Sequence, residues 1–315
     1  MASGPNPESF RLHLLWRRWL RPAALIRGHR LKSGLEKLLH YAFVLMLLLA
    51  IIAPFAWMFI SSIAPQSELT QQPPNWIPEN PTLHRYRALF LGVEPGQSLP
   101  VASEKFLEAL RSSIVVSTLT TIVCIVAGSA AAYALVRLPI PGKQHFMIGM
   151  LSAQMLPVIV IIIPLYLVMR SLLLIDTWRG LIFLYSGFLL PTVIWIMVGY
   201  FQTVPKELEE AAMIDGCSRV GALLRVVIPL SGPGLVAVAA FAFLSSWNEF
   251  FMALIFSASR AKTVTVIVTE FSTQFGVDYG LMATGGVIGS IPPLILAFLL
   301  QRYLIQGLTA GAVKG

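Results

Sequence analysis

Gly216 and Gly221 are separated by four residues, the glycine spacing of a phosphate-binding loop. Such a loop also needs Lys and then Ser or Thr after its second glycine. Here Ala222 and Leu223 follow, and Gly142-Lys143 has no upstream glycine at the right distance. Nucleotide hydrolysis is therefore not expected of this chain. The two cysteines, Cys124 and Cys217, have no metal-ligand spacing and read as small core or surface residues rather than a disulfide. No nucleophile–base pair or metal cluster stands out, so neither a metal nor a bound cofactor is expected.

The other chemistry-bearing groups lie inside apolar blocks. Polar side chains are expensive in a bilayer and are functional candidates there. Glu249 is the one acidic residue well inside such a block, within Trp247-Asn248-Glu249. It either lines a translocation path or serves as a paired structural group. Gln154, Tyr166 and Asn248 join it as path candidates, although packing is the plainer reading of Tyr166, as of Tyr133. Pro157 and Pro164 follow Gln154 and free backbone carbonyls. They suit either a span that bends in use or a static kink.

The elements that must position these groups are membrane helices. Of 315 residues, 56% are apolar and 12% charged, about half the charge of soluble domains. Apolar blocks at 38–60, 107–135, 145–169, 180–201, 232–256 and 281–304 each approach the roughly 20 residues that a span needs. The first is too long for a signal-peptide core, so an uncleaved span is expected. Glu108 and Arg111, in the first turn of the second block, are expected at the interface. The fold class is thus an all-α polytopic membrane protein with six transmembrane helices. Its expected parts are a basic tail (1–37), a first span (38–63), a Pro-rich external loop able to pack as a cap (64–106), a membrane-helical core (107–305) and a short glycine-rich tail (306–315).

The net charge of +8 is not a nucleic-acid footprint, because the basic residues sit at block ends and not on one face. Segments on the side of the N-terminus carry the excess of Lys and Arg, much of it between Arg11 and Lys37. The positive-inside rule then puts both termini in the cytoplasm. The basic tail reads as a cytoplasmic segment, either solvated or lying on lipid.

Between the fourth and fifth blocks lies a polar island, Val204 to Pro229. Pro205 suits a first helical position, and Glu207, Glu209 and Glu210 favour the positive helix end. Leu208, Ala211 and Ala212 share a face. Gly216 suits a left-handed helix stop. Ser218 can cap a second helix that ends before Pro229. Two short helices hinged at Gly216, with a shallow Ala-Ala face, either dock in another protein's groove or rest on the membrane surface.

The island resembles the cytoplasmic motif of ABC-transporter permeases: Glu-Ala-Ala, three residues, Gly, nine residues, Ile, one residue, Leu-Pro. Here it reads Glu210-Ala211-Ala212, Gly216, Val226, Ile228-Pro229, with two conservative aliphatic departures. Pro164-Leu165-Tyr166, Asp176-Thr177, Pro191, Trp247 to Phe250 and the ending from Gln306 to Gly315 are similar to the second permease subunit of maltose-type carbohydrate importers. The resemblance covers about residues 38–315. It implies that Glu207, Glu210, Ala211, Ala212, Asp215 and Gly216 form a coupling helix seated in a cytoplasmic ATPase. ATP and Mg would be bound by that ATPase dimer. It also implies a second permease chain and an external sugar-binding protein that contacts the loop at about 257–280. The C-terminal residues Gly311, Lys314 and Gly315 would touch the ATPase. The cargo implied is a di- or oligosaccharide, with polyols and glycerol phosphate open. Two other classes compete: a proton-driven secondary transporter using Glu249, and a membrane scaffold or receptor. Inverted repeats that would support the former are not convincing, and the broken third span and the island argue against the latter.

Overall fold

The computed structural model describes residues 34–73, 75–92, 100–273 and 276–312. The basic stretch up to Ser33, and Lys314 and Gly315, lie outside the described residues. The chain forms two compact units that divide at Ala56/Trp57. The first unit contains most of helix α1 (Gly34–Ile63), whose apolar side chains from Leu38 to Phe55 are exposed. Large apolar side chains in water would be unfavourable, so this helix suits lipid or a partner helix.

The second unit holds the rest. After α1 come two short helices, α2 (Gln66–Leu69) and α3 (His84–Leu91). Long helix α4 (Phe106–Arg137) follows, then α5 (Lys143–Ala153), α6 (Val158–Ser171) and α7 (Trp178–Gln202). The island gives α8 (Lys206–Ile214), α9 (Arg219–Ala222), a π-helical turn (Leu223–Val227) and α10 (Ile228–Leu230). The chain continues as α11 (Gly232–Trp247), α12 (Phe251–Phe256), α13 (Val264–Thr269), a minimal antiparallel pair of strands (Ser272–Thr273 with Gly276–Val277) and α14 (Tyr279–Ala312).

Among the described residues, four helices are long and apolar enough to cross a bilayer: α1, α4, α7 and α14. The count reaches six when two bent pairs are included. One pair is α5 and α6, which meet at 95°; the other runs from Arg219 to Trp247 and bends by 84° before Gly232. The third block is thus two helices. Its break falls before Pro157, where the missing N–H and the ring oppose helix continuation. Pro164 lies inside α6, so only one of the two prolines interrupts the helix. The fifth block is likewise two helices, interrupted at Asn248–Phe250. The last helix runs on through Ala312, so the residues from Gln306 to Ala312 continue it and do not form a loose tail.

Helix α4 is the central post, packed along α7 and α11, and α11 in turn packs on α14. One core cluster joins Tyr133, Val193, Met197, Phe201, Val227 and Val238 at the end near the island. A second joins Val116, Met169, Leu181, Tyr185 and Phe256. A third joins Phe106, Trp247, Ile267, Phe271 and Leu281. Serines and threonines of α4 are buried between helices; Ser112 Oγ accepts from Trp178 Nε1 (2.9 Å) and Ser113 Oγ from Val264 N (2.8 Å). Such small polar groups let helices approach closely and hydrogen-bond across the contact. Glu108 and Arg111 are exposed in the first turns of α4, and Arg111 lies 5.5 Å from the centre of the Trp178 ring, in cation–π geometry.

Two ties fix the loops at the end opposite the island. Arg85 is buried, donates to the Ala64 carbonyl (2.6 Å) and pairs with Asp278 (3.4 Å). Gly280 lies against its guanidinium so closely that a Cβ would stand 2.1 Å from Cζ. Gln66 Nε2 donates to the Val277 carbonyl (2.8 Å). The loop after α1 is therefore tied to the start of α14 through Arg85 and Gln66.

The second tie is Asp176, held at φ 56°. Its carboxylate accepts the backbone N–H groups of Ala258, Ser259, Arg260 and Ala261 at 2.9–3.1 Å. Burial pushes this carboxyl up, and the four donors outweigh burial, so it titrates below the ordinary aspartate range. A group with a lowered folded pKa contributes stability above its unfolded value of about 3.9 and loses it as pH falls through the folded value. We expect Asp176→Asn to lower thermal stability by about 2 kcal/mol at pH 7. The gap from wild type should close below pH ~4. Thermal unfolding in detergent across pH checks this; a gap independent of pH would refute the charge-based account.

Candidate functional site

Helix α8 begins at Lys206, with Pro205 one position before it in extended geometry and not at the first helical position. Its end has the expected form. Gly216 has φ 92°, Cys217 N donates to the Ala212 carbonyl (2.9 Å) and Gly216 N to the Met213 carbonyl (3.1 Å). This is the doubly bonded left-handed stop that glycine favours. Ser218 Oγ then accepts from Gly221 N (3.1 Å) and caps α9.

Beyond α9 the expectation fails. Helical structure does not stop before Pro229 but runs through a π turn to Leu230. Pro229 falls at the start of α10, a position that tolerates a missing N–H. The i→i+5 bonding of the π turn, closed where Ile228 N donates to the Leu223 carbonyl, absorbs the register change, and Ser231 N donates to the Val227 carbonyl (2.9 Å) at the end of α10.

The apolar pattern of α8 does not disclose what holds the helix in place. Leu208, Ala211 and Ile214 are exposed, whereas Glu209 is only 3% exposed. The Glu209 carboxylate forms an ion pair with Arg137, the last residue of α4, whose Nη2 also donates to the Val204 carbonyl (2.7 Å). Both side chains are nearly removed from solvent, at 4% and 7% exposure. The island is thus bolted to the end of the central post through its acidic side. Its open side carries Glu207, Glu210, Ala211, Asp215 and Gly216, with Ala212 half-buried. Arg137 and Glu209 escaped the reading of the sequence: a basic residue at a span end and an acid in a first helical turn each have a sufficient local explanation.

The four path candidates do not converge on one spot. Gln154 sits at the α5–α6 break, donates to the Phe188 carbonyl (2.6 Å) and accepts from Thr192 Oγ1 (2.9 Å), so it ties the break to α7. Tyr166 packs its ring 5.9 Å from that of Phe256. Glu249 turns its carboxylate onto α12, accepting from Met252 N (2.9 Å) and Ala253 N (3.0 Å). That use matches the structural reading of Glu249. Asn248, on the other hand, is exposed and lines a cavity of about 390 Å³. The α11–α12 break, α13 and the small-residue face of α14 line it, and it is broadly open on its remaining side. Gly285 and Gly289 let α13 lie against α14: a Cβ on either would stand 2.7 Å from Val268 or 3.1 Å from Val264. Trp247 forms one wall, fixed by its Nε1 bond to the Gly289 carbonyl (3.1 Å). Among the described residues no group of acidic, histidine or cysteine side chains could hold a metal ion.

Comparison with known proteins places this architecture. The family described as binding-protein-dependent transport system inner membrane component matches residues 124–310. The trehalose transport system permease protein SugB of Mycobacterium tuberculosis is 36% identical, over 83% of this chain and 92% of that protein. The sulfoquinovosyl glycerol transport system permease protein SmoH of Agrobacterium fabrum is 33% identical, over 83% of this chain and 88% of its own. A crystal structure of a bacterial ABC transporter that imports the acidic polysaccharide alginate shares the fold, with a TM-score of 0.70 at 21% identity and coverage of 86% and 98%. The chain is a multi-pass membrane protein that belongs to the binding-protein-dependent transport system inner membrane component family.

Proposed function

We propose that this chain is the membrane-spanning permease subunit of a sugar importer. It would carry a di- or oligosaccharide across the cytoplasmic membrane by alternating access. ATP hydrolysis in a partner subunit would drive it, with ATP and Mg held there. The observation that carries the mechanism is the bolted island: an exposed helical face, ended by a rigid left-handed stop and pinned through Arg137–Glu209 to the central helix. Motion of that face must move α4. Glu207, Glu210, Ala211, Ala212, Asp215 and Gly216 would seat in the ATPase, with both termini on the same, cytoplasmic, side. A second permease chain, an ATPase dimer, an external sugar-binding protein and surrounding lipid complete the assembly. The continuous α14 would carry Gly311 and the following residues toward the ATPase. The relatives named for trehalose and sulfoquinovosyl glycerol support sugar as the cargo class.

Reconstitution of the chain with a candidate second permease, ATPase and binding protein tests this reading. Sugar uptake should require ATP, the binding protein and both permeases. Uptake that persists without the ATPase and follows a proton gradient would restore the secondary-transporter alternative.

A further inference from the structure

The cavity at the α11–α12 break says more about the cargo than the island does. It opens where the backbone is irregular, at Asn248 to Phe250. Irregular backbone at membrane depth is tolerated where it is buried in protein or lines a cavity, and broken helices commonly frame transport sites. Its volume falls at the lower end of the range for small-molecule sites, about 300–1,000 Å³.

We infer that this cavity is a cargo subsite for an uncharged, hydroxyl-rich ligand, and that it selects neutral sugars over anionic ones. The inference rests on the permease reading above. Asn248 is exposed; its backbone N–H is taken by the Leu244 carbonyl (3.0 Å), but its side-chain amide makes no hydrogen bond with any described residue and so has donors and an acceptor to offer. Thr265, Thr269 and Ser290 line the same space. Each already donates its hydroxyl proton to a backbone carbonyl, those of Glu249, Val266 and Gly286, at 2.7–2.8 Å. What they keep is acceptor capacity, with one lone pair of Thr265 already taken by the Thr263 hydroxyl (2.8 Å). Acceptors suit ligand hydroxyl groups and repel carboxylate or sulfonate oxygens. Phe250 adds a partly exposed aromatic ring, suited to the C–H face of a sugar.

Charge strengthens the selection. The lining contains no Lys, Arg or His that could pair with an anion. The nearby start of α12 would ordinarily attract negative charge, but two of its N–H groups, those of Met252 and Ala253, are taken by Glu249. The Glu249 carboxylate, which adjoins Asn248 and Phe250 in the chain, would also repel a second anion.

A substrate-protection experiment on the complete transporter tests this. In a Cys217→Ser background, Val268→Cys places a thiol in the cavity lining and leaves the Asn248 amide in place, while the remaining Cys124 is buried. Maleimide labelling is followed with trehalose, maltose or cellobiose present, and separately with an alginate pentasaccharide. Neutral disaccharides should slow labelling about tenfold, and the acidic one should not. Equal protection by the acidic ligand, no protection by any, or a thiol that resists labelling because the partner permease fills the cavity would each overturn the inference. ATP-dependent uptake by the parent assembly is measured in parallel. Its absence would defeat the permease reading, whereas its presence without protection defeats only the subsite.

Discussion

Replacing Arg137 with alanine will leave the Glu209 carboxylate buried without its counter-ion, and this should be among the most damaging single changes in the protein. The two side chains are 7% and 4% exposed. Removing one partner of such a pair costs about 3–5 kcal/mol, because the remaining charge has neither water nor a partner. Arg137→Ala also frees the Val204 carbonyl, at the entry to α8. We expect loss of folded protein at moderate temperature and no detectable uptake. Because instability alone would abolish uptake, the informative variant is Arg137→Met with Glu209→Met. Apolar residues of similar volume often replace a buried ion pair with little loss of stability. That double variant should melt near wild type and still bind the ATPase. Its uptake per ATP hydrolysed should nevertheless fall about tenfold, since methionine cannot hold the angle between α4 and α8. Wild-type coupling by the double variant would reduce the pair to a structural contact.

The same residues show what a sequence can and cannot disclose. Blocks of about 20 apolar residues specify spans because the bilayer thickness does, and the left-handed stop at Gly216 follows from glycine's lack of a Cβ. Those features are local and were legible. The break before Pro157 was legible as a weakness, but the continuity through Pro164 was not. Whether a proline breaks a helix or sits inside it depends on neighbouring elements that stabilise the freed carbonyls. The Leu208 and Ala211 face of α8 was legible as one offered to a partner or the membrane surface, but the contact that sets its direction, Arg137 with Glu209, is long-range and was not. Glu249 was legible as important, but its role as a helix cap required knowing that the fifth span is interrupted just beyond it. The cavity was invisible for a similar reason: α13 and the small-residue face of α14 meet at Asn248 only in three dimensions.

Gly216→Val should uncouple the transporter while leaving most of its fold intact. The space around Gly216 is open, with nothing within 4 Å of where a Cβ would stand, so no clash is expected. The obstacle is the backbone. At φ 92° a residue with a Cβ bears about 1–2 kcal/mol of strain, and β-branching makes the left-handed region least accessible of all. The cheapest relief is to rotate out of that region, which breaks the Cys217–Ala212 and Gly216–Met213 bonds that close α8. The Ser218 cap then loses its place, and the open face with Glu210 and Ala211 changes its angle to α9. Because the site is exposed and far from the core clusters, the melting temperature should fall only modestly. ATPase co-purification and ATP-driven uptake should drop by tenfold or more, about the change that a loss of 1.4 kcal/mol in docking produces. Gly216→Asn provides the control. Asparagine visits the left-handed region at low cost, so it should retain most of the uptake despite its larger side chain. Equal loss in both variants would mean that the partner needs the bare surface of glycine, and full activity in both would mean that the stop at Gly216 does not govern docking. The expected contrast, valine inactive and asparagine active, ties coupling to one backbone angle. It would also separate the island's role in transmitting force from the cavity's role in choosing cargo, because neither substitution approaches Asn248.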